Sequence, residues 1–544
     1  MINRSQYLIM LLVLVKLSFS QTGSVYNSLH NLSASGPGSI KAQTESEVCI
    51  FCHASHAGNS QAALWNRSDN AINYTIYGSS TMETNAQQPG SASRLCLSCH
   101  DGTIALGLVL NRSDQISFPV GFDKIPTDHR SNLSSDLSDD HPLNLDSHPT
   151  GFNCSGCHSS SPMTSDKMEC ISCHDPHDDT QGSFLKVDPI SGALCLRCHQ
   201  ETNWLQSSHN TSLATWGGNG PDPWPYTTWN SVTENACASC HTSHGGAGST
   251  WLLKSSAEED NCLVCHNGNV AALDIQSELN KTSTHAVANY SGIHTPSETV
   301  PLTAHVECTD CHNPHQTSAT TAVAPTAPGS LAGVSGVDQA GLAVYPSQYA
   351  YEVCLKCHET DISTIPTYIP WYNNTTILNE FSESNPSFHP VFGPGINQNV
   401  PSLISPYSET SVIYCTDCHN NDSSGPVGPH GSMNAPILKK RQVFSDYNRE
   451  STTIYALCYD CHSRSSILND ESFTKHRKHI KNEKTACTTC HDPHGSMENS
   501  HLINFNTDYV FPNQANRLEW VDYGNNSGAC YLLCHGEDHN PEDY

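Results

Sequence analysis

The stretch Cys487-Thr-Thr-Cys490-His491-Asp-Pro-His494 contains the motif on which this 544-residue chain is built. Two cysteines stand three apart, a histidine follows the second cysteine, and another histidine comes three residues later. The C-x-x-C-H part occurs twelve times, so twelve pairs account for all but two of the 26 cysteines. The last two lie in Cys530-Tyr-Leu-Leu-Cys534-His535, which has one extra spacer residue. No cysteine therefore lies outside the motif.

The motifs are numbered here as sites 1 to 13 in chain order. They are Cys49, Cys52 and His53; Cys96, Cys99 and His100; Cys154, Cys157 and His158; Cys170, Cys173 and His174; Cys195, Cys198 and His199; Cys237, Cys240 and His241; Cys262, Cys265 and His266; Cys308, Cys311 and His312; Cys354, Cys357 and His358; Cys415, Cys418 and His419; Cys458, Cys461 and His462; Cys487, Cys490 and His491; and Cys530, Cys534 and His535.

C-x-x-C-H is the attachment signature of c-type haem. The two thiols add to the two vinyl groups of one haem, and the adjacent histidine becomes the proximal ligand of its iron. Zinc sites also use C-x-x-C pairs, and exported cysteines often form disulfides, but neither requires a histidine directly after every pair. We therefore expect thirteen covalently bound haem c groups, the thirteenth on a wider thiol spacing.

The supply of further histidines bears on the second axial position of each iron. An iron that only transfers electrons usually has both axial positions filled by protein, whereas a catalytic iron keeps one open. The chain has 32 histidines, of which 13 are proximal and 19 are spare. We expect bis-histidine irons, with distal ligands drawn from His30, His56, His141, His148, His177, His209, His244, His285, His305, His315, His389, His430, His479 and His494. The remaining five are interpreted as surface histidines: His129, His294, His476, His501 and His539.

Several distal candidates share a sequence context. Five of them follow a proximal histidine by three residues, a spacing that favours a reach to a neighbouring haem, and three others precede a proline, which disfavours helix. The sites also form pairs, because first members resemble C-x-x-C-H-x-x-H or precede Gly-Pro-His, while second members begin with Cys-Leu or Cys-Tyr. The pairs are sites 1 and 2, 4 and 5, 6 and 7, 8 and 9, 10 and 11, and 12 and 13, with site 3 extra.

Composition predicts the fold class. Hydrophobic residues make up 36% of the chain and charged residues 14%, which is too little apolar material for several ordinary cores. We expect a mostly irregular chain with short α-helices and minimal β structure, in which haem replaces the apolar core of an elongated array.

The chain also has recognisable segments. Residues 1–20 have the charged start, short apolar run and small-residue end of a signal peptide, so we expect export. Residues 21–316 carry sites 1 to 8, and residues 342–544 carry sites 9 to 13. Between them, residues 317–341 are rich in Ala, Thr, Pro and Gly and are predicted to be a linker or a surface loop. No later stretch is apolar for long enough to span a membrane.

Charge excludes some partners. The net charge of −28 disfavours nucleic acid and anionic membranes. No nucleotide-binding loop, catalytic triad or separate metal motif stands out, so no catalytic residue is assigned.

The sequence resembles the multihaem c-type cytochromes with doubled C-x-x-C-H motifs. The resemblance rests on Cys308-Thr-Asp-Cys311-His312-Asn-Pro-His315, on the motif at Cys487, and on Leu29-His30-Asn31-Leu32-Ser33 ahead of Cys49. It implies periplasmic or extracellular electron transfer through closely stacked bis-histidine haems. It also implies other redox proteins or external acceptors as partners, or a second copy of the chain, since some relatives polymerise into filaments.

We therefore expect an electron-transfer protein rather than an enzyme. One alternative is an oxidoreductase that acts on a small nitrogen or sulfur oxyanion at one five-coordinate haem, with sites 3 and 13 as candidates. Another is a subunit of a membrane electron-transfer complex, which the sequence does not separate from a free carrier.

Overall fold

The structure is a computed structural model. It describes residues 24–544 except 57, 60–63, 70, 80–81, 146–166, 248–249, 288–292, 299–305 and 360–368. The predicted signal peptide, site 3, His148 and His305 lie outside the described residues.

The described chain is mostly irregular, with short helices, as composition predicted. The α-helices are α1 (Ser91–His100), α2 (Cys170–Cys173), α3 (Ser208–Thr211), α4 (Val232–Asn235), α5 (Glu258–His266), α6 (Ile275–Leu279), α7 (Cys308–Cys311), α8 (Ala350–His358), α9 (Ile377–Glu380) and α10 (Arg464–Leu468). Single 3₁₀ turns are Val25–Asn27, Cys49–Phe51, Ile190–Gly192, Cys195–Arg197, Trp204–Gln206, Ala236–Ser239, Gly329–Leu331, Cys415–Asp417, Cys458–Asp460 and Cys487–Thr489, and Lys478–Glu483 is a π-helix.

Most strands are two residues long and pair as isolated ladders. They are β1 (Thr75–Ile76) with β2 (Asp136–Leu137), β3 (Ser283–Thr284) with β7 (Gly431–Ser432), β4 (Gly336–Val337) with β5 (Ala343–Val344), and β6 (Ser387–Phe388) with β8 (Gly495–Ser496). The first ladder is parallel and the other three are antiparallel.

The longest strands lie at the C-terminus. Strands β10 (Glu519–Gly524), β11 (Ser527–Cys534) and β12 (Glu537–Asp543) form an antiparallel sheet, and β9 (Val510–Phe511) pairs with the end of β11. Site 13 lies on β11, where Cys530 is opposite Glu542 and Cys534 is opposite Glu537.

The chain divides into two compact units. The first comprises Met1–Glu201 and Trp224–Ser256, and the second comprises Thr202–Pro223 and Ala257–Tyr544. The first unit carries sites 1 to 6 and the second carries sites 7 to 13. Residues 317–341 lie inside the second unit, and their role as a domain boundary stays a prediction.

Apolar side chains gather in small clusters beside the motifs rather than in one core. The described clusters contain three to six buried residues each. Cysteines of the motifs pack against four of them, as Cys415 does against the cluster of Tyr351 and Phe392. Such clusters bury too little apolar surface to fold a chain of this length, which agrees with a haem-cored fold.

Among the described helices, none is long and apolar enough to cross a membrane.

Candidate haem-binding sites

Each described regular motif folds as one short helical turn. At site 1 the main-chain N–H of His53 donates to the carbonyl of Cys49 at 2.8 Å, and the same bond recurs at 3.0 Å between His491 and Cys487. Side chains three apart on a helical turn lie about 5–6 Å from each other. Both thiols and the histidine are therefore presented together, as attachment to one haem requires.

The longer helices belong to second members. Helices α1, α5 and α8 each end on the proximal histidine of a second member, at sites 2, 7 and 9, whereas sites 5 and 11 and the first members occupy a single turn. The first turn of α5 also joins two sites, because the carboxylate of Glu258 accepts from the main-chain N–H of Thr309 at 2.8 Å and from its hydroxyl at 2.9 Å.

First members share a second local feature, a left-handed turn that aims a carbonyl at the proximal ring. At site 4 the ring Nδ1 of His174 donates to the carbonyl of Ser183 at 3.0 Å. His174 also forms a β-bridge with Leu185, and Ser183 and Phe184 between them have φ of 49° and 56°. Positive φ is uncommon for residues other than glycine and is concentrated at functional sites.

The same turn recurs along the chain. In it Nδ1 of the proximal ring donates to a main-chain carbonyl at 2.8–3.0 Å. The donor and acceptor residues are His241 and Trp251, His419 and Pro436, and His491 and His501. In each case the accepting residue comes two before the residue that forms the β-bridge. With Nδ1 engaged by a carbonyl, the other ring nitrogen, Nε2, is left to bind a metal.

Ten proximal rings face a second histidine ring. The facing pairs, with distances between ring centroids, are His53–His177 (5.9 Å), His100–His30 (6.1 Å), His174–His244 (6.2 Å), His199–His141 (6.1 Å), His266–His209 (6.1 Å), His312–His430 (6.1 Å), His358–His285 (6.3 Å), His419–His494 (6.4 Å), His462–His389 (6.4 Å) and His491–His476 (6.3 Å). A metal–imidazole bond is about 2.0 Å long, so two rings on opposite sides of one metal stand roughly 6 Å apart. These pairs fit a six-coordinate haem iron.

Burial favours the neutral form of three of these rings. Burial and the neighbouring His199 lower the pKa of His141 to about 4, and burial and His209 do the same to His266. Burial, followed by His491, lowers the pKa of His476 to about 3. A neutral imidazole has the free electron pair that an iron ligand needs, so at neutral pH these rings are ready to coordinate.

The distal ring of a second member is held by a main-chain carbonyl. That carbonyl belongs to the residue directly before the distal histidine of the first member. His30 donates through Nδ1 to the carbonyl of Pro176 at 3.2 Å, and the next residue, His177, faces site 1 of the same pair. The same arrangement holds His285 through Pro429, beside His430, and His389 through Pro493, beside His494. One Pro-His dipeptide therefore serves both sites of a pair.

Two other pairs have related contacts. His209 donates to the carbonyl of Pro314, which precedes His315, at 2.9 Å. His479 donates to the carbonyl of Lys475, which precedes His476, also at 2.9 Å.

The two ring planes of a facing pair meet at an angle that differs between pair members. At first members the angles are 23° (site 1), 35° (site 4), 15° (site 8), 28° (site 10) and 44° (site 12). At second members they are 64° (site 2), 75° (site 5), 78° (site 7), 58° (site 9) and 45° (site 11).

Nine of the fourteen distal candidates face a proximal ring in the structure. They are His30, His141, His177, His209, His244, His285, His389, His430 and His494. Three of these, His177, His244 and His494, follow one proximal histidine by three residues and face another, as that spacing favoured.

Other candidates lie elsewhere. His56 is exposed and His315 packs edge-on against Trp204 at 6.0 Å. His479 stacks on Phe473 at 5.8 Å.

Sequence reasoning missed His476. It was interpreted as a surface histidine, yet it is partly buried and faces His491. A signal was present in His476-Arg-Lys-His479, since the two histidines stand three apart as in the other motifs. Of the remaining surface histidines, His294 is also buried, with Nδ1 on the carboxylate of Asp310 at 3.0 Å.

Site 13 differs from the other described sites. Four residues of extended strand span about 13 Å, whereas a helical turn brings thiols to about 5–6 Å. His535 has φ of 53°, and its Nε2 contacts the carboxylate of Asp446 at 2.6 Å rather than facing a histidine. In this conformation Cys530 and Cys534 do not fit the two thioether bonds of one haem.

Thiols of neighbouring pairs lie in contact. Each contact joins the second member of one pair to the first member of the next pair along the chain. In both motifs the contacting residue is the cysteine that begins the motif. These thiol pairs, which share hydrogen bonds, are Cys96–Cys170, Cys195–Cys237, Cys354–Cys415 and Cys458–Cys487. The haem-bearing edges of successive pairs therefore come together.

Comparison with known families supports the motif. A family model described as the doubled CXXCH motif matches residues 161–203 and 230–271. The two segments contain sites 4 and 5 and sites 6 and 7, which are two of the pairs found in the sequence. A search of curated proteins found no match. The doubled motif is typical of multihaem c-type cytochromes and indicates covalently bound haem c and a role in electron transfer.

Proposed function

We propose that this chain is an exported tridecahaem c-type cytochrome. It carries electrons along low-spin bis-histidine haems and exchanges them with an external donor or acceptor. The observation that carries the proposal is the set of ten facing histidine pairs at 5.9–6.4 Å, each beside a C-x-x-C-H turn. Paired imidazoles leave an iron no open position for substrate, which favours electron transfer over catalysis.

The chain's own residues perform three tasks in this function. Cysteine pairs hold each haem covalently, facing histidines close both axial positions, and carbonyls on Nδ1 fix the tautomer and the ring orientation. The bound haem supplies an iron that takes up and releases one electron. Because the ligand rings are held by backbone, little reorganisation accompanies a change of charge.

The contacts between sites support an order of transfer. Within the first unit, a shared dipeptide connects site 1 to site 2, and thiol contacts connect site 2 to site 4 and site 5 to site 6. Site 4 is connected to site 5 because the main-chain N–H of His141 donates to the carbonyl of Ser243, next to His244. Within the second unit, Glu258 connects site 7 to site 8, and the same kinds of contact continue through sites 9, 10, 11 and 12. Electrons in each unit then follow the order of the motifs along the chain.

Distal ligands are assigned from the facing pairs, with one further member. We assign His479 to site 13, because its contact with Lys475 repeats the contact that holds the second-member rings His285 and His389. A haem at site 13 requires residues 530–535 to leave the strand and form a turn like the other motifs.

Location and partners follow from the signal peptide and the charge. Residues 1–20 support export to the periplasm or the cell surface. The net charge of −28 favours other redox proteins with basic surfaces, or external acceptors, as partners.

End-to-end assembly into a filament is part of the proposal. His56 is exposed and faces no proximal ring within the described residues, so it is available to a second copy of the chain. Cryo-microscopy of the concentrated protein tests this point, and a purely monomeric preparation would contradict it.

Haem stoichiometry and spin state test the main proposal. The mass of the exported protein is measured intact and again on its digested peptides, and its ferric spectrum is recorded on the same preparation. We expect thirteen haem increments and an entirely low-spin spectrum. Twelve increments, with no haem on the peptide that contains Cys530 and Cys534, would remove site 13 alone, and a colourless protein would overturn the whole proposal.

Site 13 supports a second candidate function, reduction or oxidation of a small nitrogen or sulfur oxyanion. Its C-x-x-x-C-H spacing departs from the other twelve motifs and its residues must rearrange before haem binds, so its iron is the candidate for an open axial position. Carbon monoxide added to the reduced protein distinguishes the two functions. Binding to one haem would favour the enzyme, and no binding favours the carrier.

A further inference from the structure

Two distal rings differ from the other described ligands in what their Nδ1 contacts. His244, which faces His174 of site 4, donates to the carboxylate of Asp140 at 2.8 Å. His494, which faces His419 of site 10, donates to the carboxylate of Glu380 at 2.9 Å. Both carboxylates are buried, with side chains 8% and 6% exposed.

A second carboxyl group lies beside this contact at site 10. The ligand atoms of Glu380, Asp492 and His494 lie within 4.8 Å of one another, and Asp492 is fully buried. Since Nε2 of His494 is the nitrogen left for iron, Nδ1 carries the hydrogen that is donated to Glu380.

Second members of the same pairs lack a carboxylate at this position. At site 5 His141 donates to the carbonyl of Pro142 at 3.1 Å, and at site 11 His389 donates to the carbonyl of Pro493. The two sites of each pair therefore have the same iron ligands but different charge behind the distal ring.

A carboxylate on the far nitrogen of a ligating imidazole makes the ring a stronger donor to the metal. The added electron density and the buried negative charge both stabilise ferric iron more than ferrous iron, because the ferric site carries one more positive charge. A carbonyl at the same place, being neutral, does so less.

We propose that Asp140 and Glu380 are positioning residues that lower the reduction potentials of the haems at sites 4 and 10 below those of their pair partners, sites 5 and 11. The inference rests on the proposed function, since it requires haem at these sites. Each unit then contains one low-potential haem at a defined place in its series, and electrons in a partly reduced protein reside on the other haems.

The test uses Asp140→Asn and Glu380→Gln in the haem-loaded exported protein, with potentiometric titration followed at the absorbance band of reduced haem. Each change keeps an oxygen acceptor and removes the charge. We expect the part of the titration curve at the lowest potential, which corresponds to one haem, to shift in each variant. That haem should become easier to reduce by about tenfold in equilibrium constant, so its reduction potential rises by about 59 mV for one electron. The ferric low-spin resonance of one haem should change in the same variant.

Asp175→Asn is the matched control. Asp175 follows a proximal histidine as Asp492 does, but its carboxylate lies 3.9 Å from Nδ1 of His177 and both side chains are exposed. Its titration curve should superimpose on that of the parent protein.

Three results would overturn the inference. They are unchanged curves for both variants, an equal shift of all haems, or the same shift in Asp175→Asn. Haem mass measured on each preparation separates this failure from failure of the proposed function, because a chain that lacks haem at sites 4 and 10 refutes both.

Discussion

First-member and second-member sites have the same ligands and yet differ in the arrangement of those ligands. First members occupy a single turn. A β-bridge and a left-handed backbone carry the proximal ring at sites 1, 4, 6, 10 and 12, and the two ring planes of first members meet at 15–44°. At second members the ring planes meet at 45–78°, and the longest helices of the motifs end there. Ring planes are set by what Nδ1 contacts, so the backbone around each site decides its ligand geometry.

This difference indicates that the repeating structural unit of the chain is a pair of sites rather than a single site. One dipeptide supplies a ring to the first member and a carbonyl to the ring of the second member, as Pro176-His177 does for sites 1 and 2. Because this dipeptide follows the motif of site 4, the ligand set of sites 1 and 2 is completed by a segment of the next pair. Duplication of the pair extends the series without new local chemistry.

Removal of haem should have the largest effect, because it abolishes both kinds of site together. The described apolar clusters contain at most six buried residues each, so a chain without haem lacks a sufficient core. We expect the exported chain made without haem attachment to show no cooperative unfolding transition by calorimetry or circular dichroism. A cooperative transition would contradict the haem-cored fold.

Replacement of one distal ring should affect a single site. His476→Ala removes the ring that faces His491 at 6.3 Å and opens the sixth position of one iron. We expect one haem's share of the ferric spectrum to become high-spin and the reduced protein to bind carbon monoxide at one haem.

The control for this change is His539→Ala, since His539 faces no proximal ring among the described residues. It should leave all haems low-spin. An unchanged spectrum in His476→Ala would show that site 12 takes its distal ligand from elsewhere.

The link between the members of the first pair can be broken at Arg67. This guanidinium is fully buried and donates to the carbonyls of Leu106 and Ala105 and to the carbonyl and hydroxyl of Ser98, which lies in α1. Arg67→Met leaves several buried acceptors without donors, which should lower the free energy of unfolding by about 3 kcal/mol in denaturant titration.

An exposed arginine gives the comparison. Arg517 pairs with Glu519 at the surface, and Arg517→Met should cost less than about 1 kcal/mol. Equal effects of the two changes would mean that the buried contacts of Arg67 do not hold the pair together.

The smallest expected effect is spectroscopic and concerns the ring angles themselves. Parallel imidazole planes separate two iron d orbitals in energy, and crossed planes leave them nearly equal. Ferric electron paramagnetic resonance should therefore show a range of low-spin signals, with the most anisotropic signals from sites such as 5 and 7 and the least anisotropic from sites such as 1 and 8. A single uniform group would show that the angles equalise when haem binds.

Much of this could be predicted from the sequence because the attachment chemistry is local. A proximal histidine and two thiols lie within five or six residues, so spacing alone identifies the sites and the pairs. The turn-rich fold with short helices follows from the same spacing and from a low apolar content.

Distal ligands were predicted less well. His476 was missed because the spacing of His476 and His479 does not reveal which of the two rings faces a proximal histidine; only the contact with His491 does. The strand at Cys530–Cys534 was missed because a hairpin with Glu537–Asp543 forms it, not the motif itself.

The amino-acid sequence by itself determined which residues can attach haem and how the sites pair, since both depend on neighbours along the chain. Only the tertiary structure decided which ring faces which proximal histidine and what lies behind it. His30 and Pro176 are 146 residues apart, His494 and Glu380 are 114 apart, and His244 and Asp140 are 104 apart. Contacts over such separations exist only after folding, and they set ring orientation and local charge, the two quantities that distinguish one haem site from another.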